Sequence, residues 1–156
     1  GRCRNERLFK YMYGSTPAEV RKQLVKVPWN GSYVLFSKVN GAAAALAAVN
    51  RELQQHPELK KYLVSSGTFN WRYIRGTKRL SSHAFAIAID IGVAKYADYW
   101  KNAGLSEAST QLVYRNRMPL ELAKIFEKHG FIWGGYWYHY DTMHFEYHPE
   151  IIAANP

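Results

Sequence analysis

One apolar run limits what this 156-residue chain can fold into. Residues 84–91 are apolar except for Asp90, and Ile87, Ile89 and Ile91 alternate along the second half of the run. Alternating β-branched residues are typical of a strand, and a strand with so little polar character is expected to be buried. A buried carboxylate is costly unless it is paired or binds a metal. The run therefore predicts a core strand whose aspartate has a partner.

The rest of the chain mixes helical and strand patterns without a regular β-α-β order. An apolar stripe at helical spacing predicts a helix over residues 42–53. Helices are also expected to begin at Pro17 and Pro119, because proline suits the first turn. A short helix is expected over 96–103, strands over 33–36, 68–74 and 143–147, and a turn over 28–31. These patterns predict an α+β fold, with a small, mainly antiparallel sheet flanked by helices. The length suits a single domain over residues 1–156.

The charge favours a polyanionic partner without identifying it. Lys and Arg number 21 against 12 Asp and Glu, a net charge of +9, and residues 1–30 form a basic segment to which no role is assigned. Nucleic acid, anionic lipid and bacterial wall polymer all attract such a chain. The hydrophobic fraction of 47% excludes a disordered chain. No stretch approaches the roughly 18 apolar residues of a membrane span, so none is expected.

Two features at the start of the sequence bear on compartment and redox state. Cys3 is the single cysteine, so no intrachain disulfide is expected, and without a partner it is a poor metal ligand. Residue 1 is Gly rather than Met, which is consistent with removal of an initiator or an export signal.

The scarce aspartates and histidines concentrate in two places. His83 and Asp90 flank the apolar run, and the segment 141–146 holds Asp141, His144 and Glu146. Two histidines and one carboxylate around an open position are typical of a catalytic zinc site. His83 and Asp90 are seven residues apart, which would place them on opposite faces of a regular strand. Either His83 lies in the loop before the strand, or a bulge resets the face.

The two places together resemble the signature of a zinc peptidase family. The first motif is Ser81-x-His83-x-x-Ala86-x-Ala88-x-Asp90, and the second is Asp141-x-x-His144-Phe145-Glu146. They resemble the D-alanyl-D-alanine carboxypeptidase and L-alanyl-D-glutamate peptidase family, whose members cut the stem peptides of peptidoglycan. The resemblance is strongest over residues 67–150.

The resemblance implies a role for each matching residue. His83, Asp90 and His144 match the zinc ligands, and Asp141 matches the base that handles the attacking water. An upstream arginine holds the substrate and the developing oxyanion in this family. Arg72 fits that position best, with Arg75 and Arg79 as rivals. Such a cation is aimed at charge that appears in the transition state.

Two positions bear on how closely the chain follows the family. The usual glycine after the first histidine is Ala86 here, and the site is expected to tolerate this smallest replacement. The aspartate at position 141 and the segment 133–137 resemble the L-alanyl-D-glutamate endopeptidase branch, which includes phage lysins and exported wall hydrolases. Glutamate at the base position is commoner in the D-Ala-D-Ala branch.

Four further residues are candidates for contacts around the site. Glu146 is a reserve base or a partner of a ligand histidine, because it alternates with His144 on a strand. His139 is a rival third ligand or a cleft residue, Ser81 is expected to order the loop or to hydrogen-bond near the metal, and Trp137 could contact substrate. His148, which precedes a proline, is expected to be exposed.

The expected protein is a monomeric, zinc-dependent peptidase that cuts a stem peptide of peptidoglycan. The first choice of bond is L-Ala-D-Glu, and a D-Ala-D-Ala carboxypeptidase is the alternative within the family. It would act in the periplasm, outside the cell or as a phage lysis protein. A basic module that only docks on the wall, or on nucleic acid, is the alternative from another class. Residues 70–75 interleave basic and aromatic side chains, but no nucleic-acid module signature is present.

Overall fold

Helices and two antiparallel sheets make up the fold, as the α+β prediction requires. The computed structural model describes residues 5–93, 95–104, 106 and 108–155, so Cys3 lies outside the described residues. The helices are α1 (Glu6–Tyr13), α2 (Pro17–Lys22), α3 (Ala42–Leu53), α4 (Leu120–Lys128) and α5 (Pro149–Ala154). The strands are β1 (Leu24–Trp29), β2 (Ser32–Ser37), β3 (Ser65–Gly67), β4 (Ala88–Ile91), β5 (Phe131–Trp133) and β6 (His144–Tyr147).

The larger sheet carries the residues of the two motifs. Its strand order is β3-β4-β6-β5, with every neighbouring pair antiparallel. The central strands β4 and β6 are buried along almost their whole length, and each has a neighbouring strand along both edges. The register places Asp90 directly opposite His144. This pairing brings together two residues that lie 54 positions apart in the sequence.

The smaller sheet is a hairpin of β1 and β2. Its connection is Asn30-Gly31, with φ of 47° and 81°, the left-handed pair that a two-residue hairpin turn needs. The predicted turn over 28–31 is thus shorter than expected, since Pro28 and Trp29 belong to β1. Trp29 is buried, and its indole N–H donates to the Leu63 carbonyl at 2.8 Å.

One hydrophobic core joins the helices to the sheets. Helix α3 has the predicted bounds, and its buried face includes Leu46, Val49 and Leu53. Helix α4 begins after Pro119 as expected, and its Phe126 stacks on Phe145 of β6 with ring centroids 3.9 Å apart. The predicted strand over 143–147 is β6. The core therefore lies directly behind the strand pair that presents the motif residues.

Three expectations about local structure were wrong. The predicted strand over 68–74 does not form, because its backbone bonds to the loop that carries the first motif: Asn70 N–H donates to the His83 carbonyl. The apolar run 84–91 is a strand only from Ala88 onward. The helix expected over 96–103 is a 3₁₀ turn limited to Trp100–Ala103.

The N-terminal segment is integrated into the fold from residue 5 onward. Phe9 and Tyr13 of α1 are buried, and their rings pack against Phe85 in the loop of the first motif. The carboxylate of Glu6 accepts a hydrogen bond from the Leu80 backbone N–H at 2.9 Å. Helix α1 therefore supports the loop that leads to His83. Among the described residues, no helix is both long enough and apolar enough to cross a membrane.

Candidate metal centre and cleft

A left-handed turn explains how His83 and Asp90 meet although they are seven residues apart. Residues Ser82–Phe85 form a 3₁₀ turn, and Ala86 then adopts φ 54°, ψ 40° before β4 begins. His83 thus lies in the loop before the strand, which is the first of the two alternatives. The Ser81 hydroxyl caps the turn by accepting from the His83 N–H at 3.3 Å, so Ser81 orders this loop.

His83, Asp90 and His144 converge, with one ligand atom of each within 4.8 Å of the others. His83 Nε2 lies 3.2 Å from Asp90 Oδ2, and His144 Nδ1 lies 2.9 Å from Asp90 Oδ1. The two imidazole rings meet edge to face, with centroids 5.0 Å apart. The three side chains therefore surround one position from three sides.

The hydrogen bonding of His83 fits a metal at that position. Its Nδ1 lies 2.8 Å from the Thr68 carbonyl, which only accepts, so Nδ1 carries a proton. In the neutral ring, Nε2 is then a lone pair, and it is buried and makes no hydrogen bond despite facing Asp90. A lone pair that faces a carboxylate is repulsive unless a cation lies between them. Two nitrogen donors and one carboxylate are also the ligand types that zinc prefers.

The electrostatics of the metal-free cluster follow from the same contacts. Burial alone would raise the pKa of Asp90, but the hydrogen bond with His144 and the nearby imidazole of His83 outweigh it and hold that pKa well below its usual range. Burial would lower the pKa of His144, but its hydrogen bonds to Asp90 and Glu146 raise it to about 10. Without a metal, the proton on His144 therefore takes the place of a cation beside Asp90.

Glu146 contacts the Nε2 of His144, whereas the Nδ1 of that ring faces Asp90. Glu146 is 1% exposed, and Oε1 lies 3.2 Å from His144 Nε2. Its other oxygen lies 2.8 Å from His148 Nε2. His148 was expected to be exposed, and this was wrong: its side chain is 2% exposed. Strand β6 places alternate residues on one face, which brings 144, 146 and 148 into one buried row.

Asp141 is held at the mouth of the site by backbone contacts. Its N–H donates to the Gly134 carbonyl at 3.0 Å, and Tyr99 forms an isolated β-bridge with it. The Trp133 indole N–H donates to the Thr142 carbonyl at 2.8 Å, next in the chain. A methyl group at position 134 would lie 2.5 Å from the Asp141 carbonyl, so this close approach requires glycine. The Gly-Gly pair after β5 therefore positions Asp141.

A cleft of about 230 Å³ opens over the cluster. Asp90, Asp141 and His144 line it, together with the following residues: Arg72, Ile74, Arg75, Ser81, Ser82, Tyr99, Trp137, Met143 and Glu146. A base candidate, two ligand candidates and two arginines thus face one space. The Trp137 ring lies 5.4 Å from that of His144, which places this indole on the wall of the cleft.

Two of the residues proposed from the sequence lie elsewhere. His139 packs on Trp100 with ring centroids 4.2 Å apart and is not among the residues that line the cleft. It is also outside the three-residue cluster, so the structure does not bring it into the site as a rival ligand. Arg79 does not line the cleft, whereas Arg72 and Arg75 do.

Three contacts of the site were not predicted from the sequence. The Thr68 carbonyl orients His83, the Ser82 hydroxyl lies 3.3 Å from His144 Nε2, and His148 pairs with Glu146. The first two come from irregular loops, for which no pattern existed. The third had a signal, since histidine, glutamate and histidine alternate along a strand.

Comparison with known families agrees with the motifs. A family model described as D-alanyl-D-alanine carboxypeptidase matches residues 75–147, just under half of the chain. The matched range contains His83, Asp90, Asp141 and His144, and it begins three residues after Arg72. No curated protein and no solved structure matches the chain at a significant level. The match supports a peptidase of the kind that acts on peptidoglycan. The predicted resemblance is thereby confirmed: over residues 75–147 the chain is similar to the D-alanyl-D-alanine carboxypeptidase family.

Proposed function

We propose that the chain is a zinc-dependent peptidase that hydrolyses an amide bond of the peptidoglycan stem peptide, with the L-Ala-D-Glu bond as the first choice. One observation carries the proposal. His83, Asp90 and His144 form a buried cluster, and two of them, Asp90 and His144, line an open cleft that Asp141 also lines. A ligand set of this kind beside a carboxylate in a cleft is what metal-assisted hydrolysis needs.

His83 Nε2, His144 Nδ1 and an oxygen of Asp90 would hold the zinc ion. When bound, zinc lowers the pKa of a coordinated water to about 7 and polarises the substrate carbonyl. The protein fixes the ligands from three elements: the 3₁₀ turn before β4, β4 itself and β6. Because the backbone holds all three, the site is organised before the metal arrives.

Asp141 is the general base in this proposal. It lines the cleft beside the ligands, and its backbone is fixed by Gly134, so its carboxylate can accept a proton from the attacking water. The same group then returns the proton to the leaving amine. Glu146 is less suited to this role, because its oxygens contact His144 and His148.

Arg72 supplies positive charge to the substrate. Arg72 and Arg75 are exposed and line the cleft, so a carboxylate or a developing oxyanion in the cleft would face a guanidinium. Stem peptides carry free carboxylates, which suits this basic edge and the net charge of +9. Arg72 is preferred over Arg75 from the motif position.

The choice of bond rests on the residue at position 141. Aspartate there favours the endopeptidase, whereas the description of the matching family model favours a D-Ala-D-Ala carboxypeptidase. Both activities use the same site, so the alternative remains within the proposal. In either case we propose a monomer that acts at the bacterial wall, in the periplasm, outside the cell or during phage lysis.

Mass spectrometry of defined muropeptides after digestion tests the function. The endopeptidase predicts products separated between L-Ala and D-Glu, and the carboxypeptidase predicts loss of only the terminal D-Ala. Asp141→Asn should lower the hydrolysis rate by about 100-fold or more while zinc remains bound. Glu121→Gln, which removes an exposed carboxylate on α4, is the matched control and should be as active as the native chain.

Three results would count against parts of the proposal. If the zinc-loaded protein releases no product but retains muropeptides, it is a wall-docking module rather than an enzyme. If Asp141→Asn retains full activity, then Asp141 is not the base. Nucleic-acid binding that falls steeply with salt and ignores chelators would favour the other class of function.

A further inference from the structure

The buried row behind His144 ends in a histidine with two carboxylate partners. His148 Nε2 lies 2.8 Å from Glu146, and its Nδ1 lies 2.7 Å from Oε1 of Glu150. Ionised carboxylates only accept hydrogen bonds, so both ring nitrogens of His148 donate. His148 is therefore a buried cation between two anions.

This cation determines what Glu146 offers to His144. One oxygen of Glu146 is taken by His148, which leaves the other to accept from His144 Nε2 at 3.2 Å. A neutral imidazole carries its proton on one nitrogen only. If Nε2–H donates to Glu146, Nδ1 is the lone pair, and Nδ1 is the atom that faces Asp90.

The surrounding fold fixes the position of His148. Its backbone N–H donates to the Gly130 carbonyl at 2.8 Å, and the ring of Phe9 packs over its imidazole with centroids 5.5 Å apart. Helix α1 thus covers the end of the row, which gives the N-terminal segment a function beyond its charge. Removing the cation would leave Glu146 buried with one partner fewer.

We propose that His148 is a positioning residue of the metal site, which acts through Glu146 to present His144 Nδ1 to the metal. The inference rests on the proposed zinc site and extends it to the residues that contact His144 from the side of its Nε2. Partners behind a ligand histidine typically change metal affinity by 10- to 100-fold when removed. His148 acts one contact further away, so about a tenfold effect is expected.

Zinc affinity, measured on the full chain by competition with a chromophoric chelator, tests the proposal. His148→Gln keeps a donor for Glu146 but loses the charge, and should weaken zinc binding about tenfold. His129→Gln is the matched control: His129 is also a part-buried histidine paired with a glutamate, Glu52 of α3, at 2.7 Å, and its replacement should leave zinc affinity unchanged. Cobalt in place of zinc should show a shifted visible spectrum in His148→Gln only.

A double-mutant cycle separates positioning from general loss of stability. In a Glu146→Gln background, His148→Gln should have little further effect on zinc affinity, since its effect passes through Glu146. Additive effects, or a His148→Gln protein with native zinc affinity and cobalt spectrum, would overturn the inference. If His148→Gln does not fold, the zinc affinity of Glu150→Gln is measured instead, since this variant removes the second carboxylate partner of His148. A lower affinity supports the inference, and an unchanged affinity overturns it. If the native chain binds no zinc, the proposed function itself fails.

Discussion

The left-handed turn at Ala86 offers the sharpest test of how the site is assembled. Ala86 has φ 54° and is fully buried, and its carbonyl accepts from the Ser37 N–H at 2.9 Å. The turn brings the chain back from His83 into β4, so that Asp90 meets His83. Ala86→Gly would remove the Cβ from this conformation while leaving the turn possible.

Three effects of Ala86→Gly nearly cancel. A left-handed conformation costs an L residue about 1–2 kcal/mol, which glycine recovers. Loss of one buried methyl group costs about 0.8 kcal/mol, and the greater freedom of glycine in the unfolded chain costs about 0.4–1 kcal/mol. The expected change in the free energy of unfolding is therefore within about 1 kcal/mol of zero. Zinc affinity should be unchanged, since the turn persists.

Ala86→Val provides the contrasting variant. A β-branched residue is strained in the left-handed region. Position 86 is also fully buried, so the two added methyl groups could not turn towards solvent. Ala86→Val should destabilise the protein by about 2–5 kcal/mol and weaken zinc binding. Urea unfolding, monitored by tryptophan fluorescence in EDTA and in zinc, gives the free energy of unfolding of both variants and its increase on zinc binding. Native stability in Ala86→Val, or a loss above about 2 kcal/mol in Ala86→Gly, would refute the left-handed turn.

Two further predictions concern the cluster and its support. In the metal-free protein, the pKa of His144 rises from 6.5 to about 10, so its stabilisation is complete below about pH 6.5 and is lost as pH rises towards 10. The pKa of Asp90 falls below 3.8, so its stabilisation is complete above about pH 4 and is lost in stronger acid. The melting temperature measured in EDTA should therefore be highest between about pH 4 and pH 6.5. The increase in Tm on adding zinc should grow above pH 6.5, and an increase independent of pH would contradict this prediction. Gly134→Ala should displace Asp141 and lower kcat far more than zinc affinity, and native kcat would show that the close approach is not required.

The parts of the fold that follow a repeating pattern were predictable. The stripe over 42–53 and the helix after Pro119 have the 3.6-residue period of a buried helix face, and both form as expected. The antiparallel β6 also follows from residue types. The three ligand candidates followed from the resemblance of two short motifs to a zinc peptidase family, and the structure brings all three together.

The parts that depend on tertiary hydrogen bonds were not predictable in this way. Residues 68–74 have strand composition, but their backbone hydrogen-bonds to the loop around His83. β propensity expresses a fit to a half-buried sheet surface, whereas this segment makes only an isolated bridge, between Tyr73 and Leu80. His148 was judged from the proline that follows it, whereas its burial is decided by Glu146 and by the helix α1 that covers it.

The location of bound zinc tests the central claim most directly. In crystals of the zinc-loaded protein, anomalous scattering at the zinc edge should give one strong peak per chain. The peak should lie about 2.0–2.2 Å from His83 Nε2, His144 Nδ1 and an oxygen of Asp90. A peak only at the exposed cluster of His56, Glu58 and Glu121, or no peak at saturating zinc, would contradict the account.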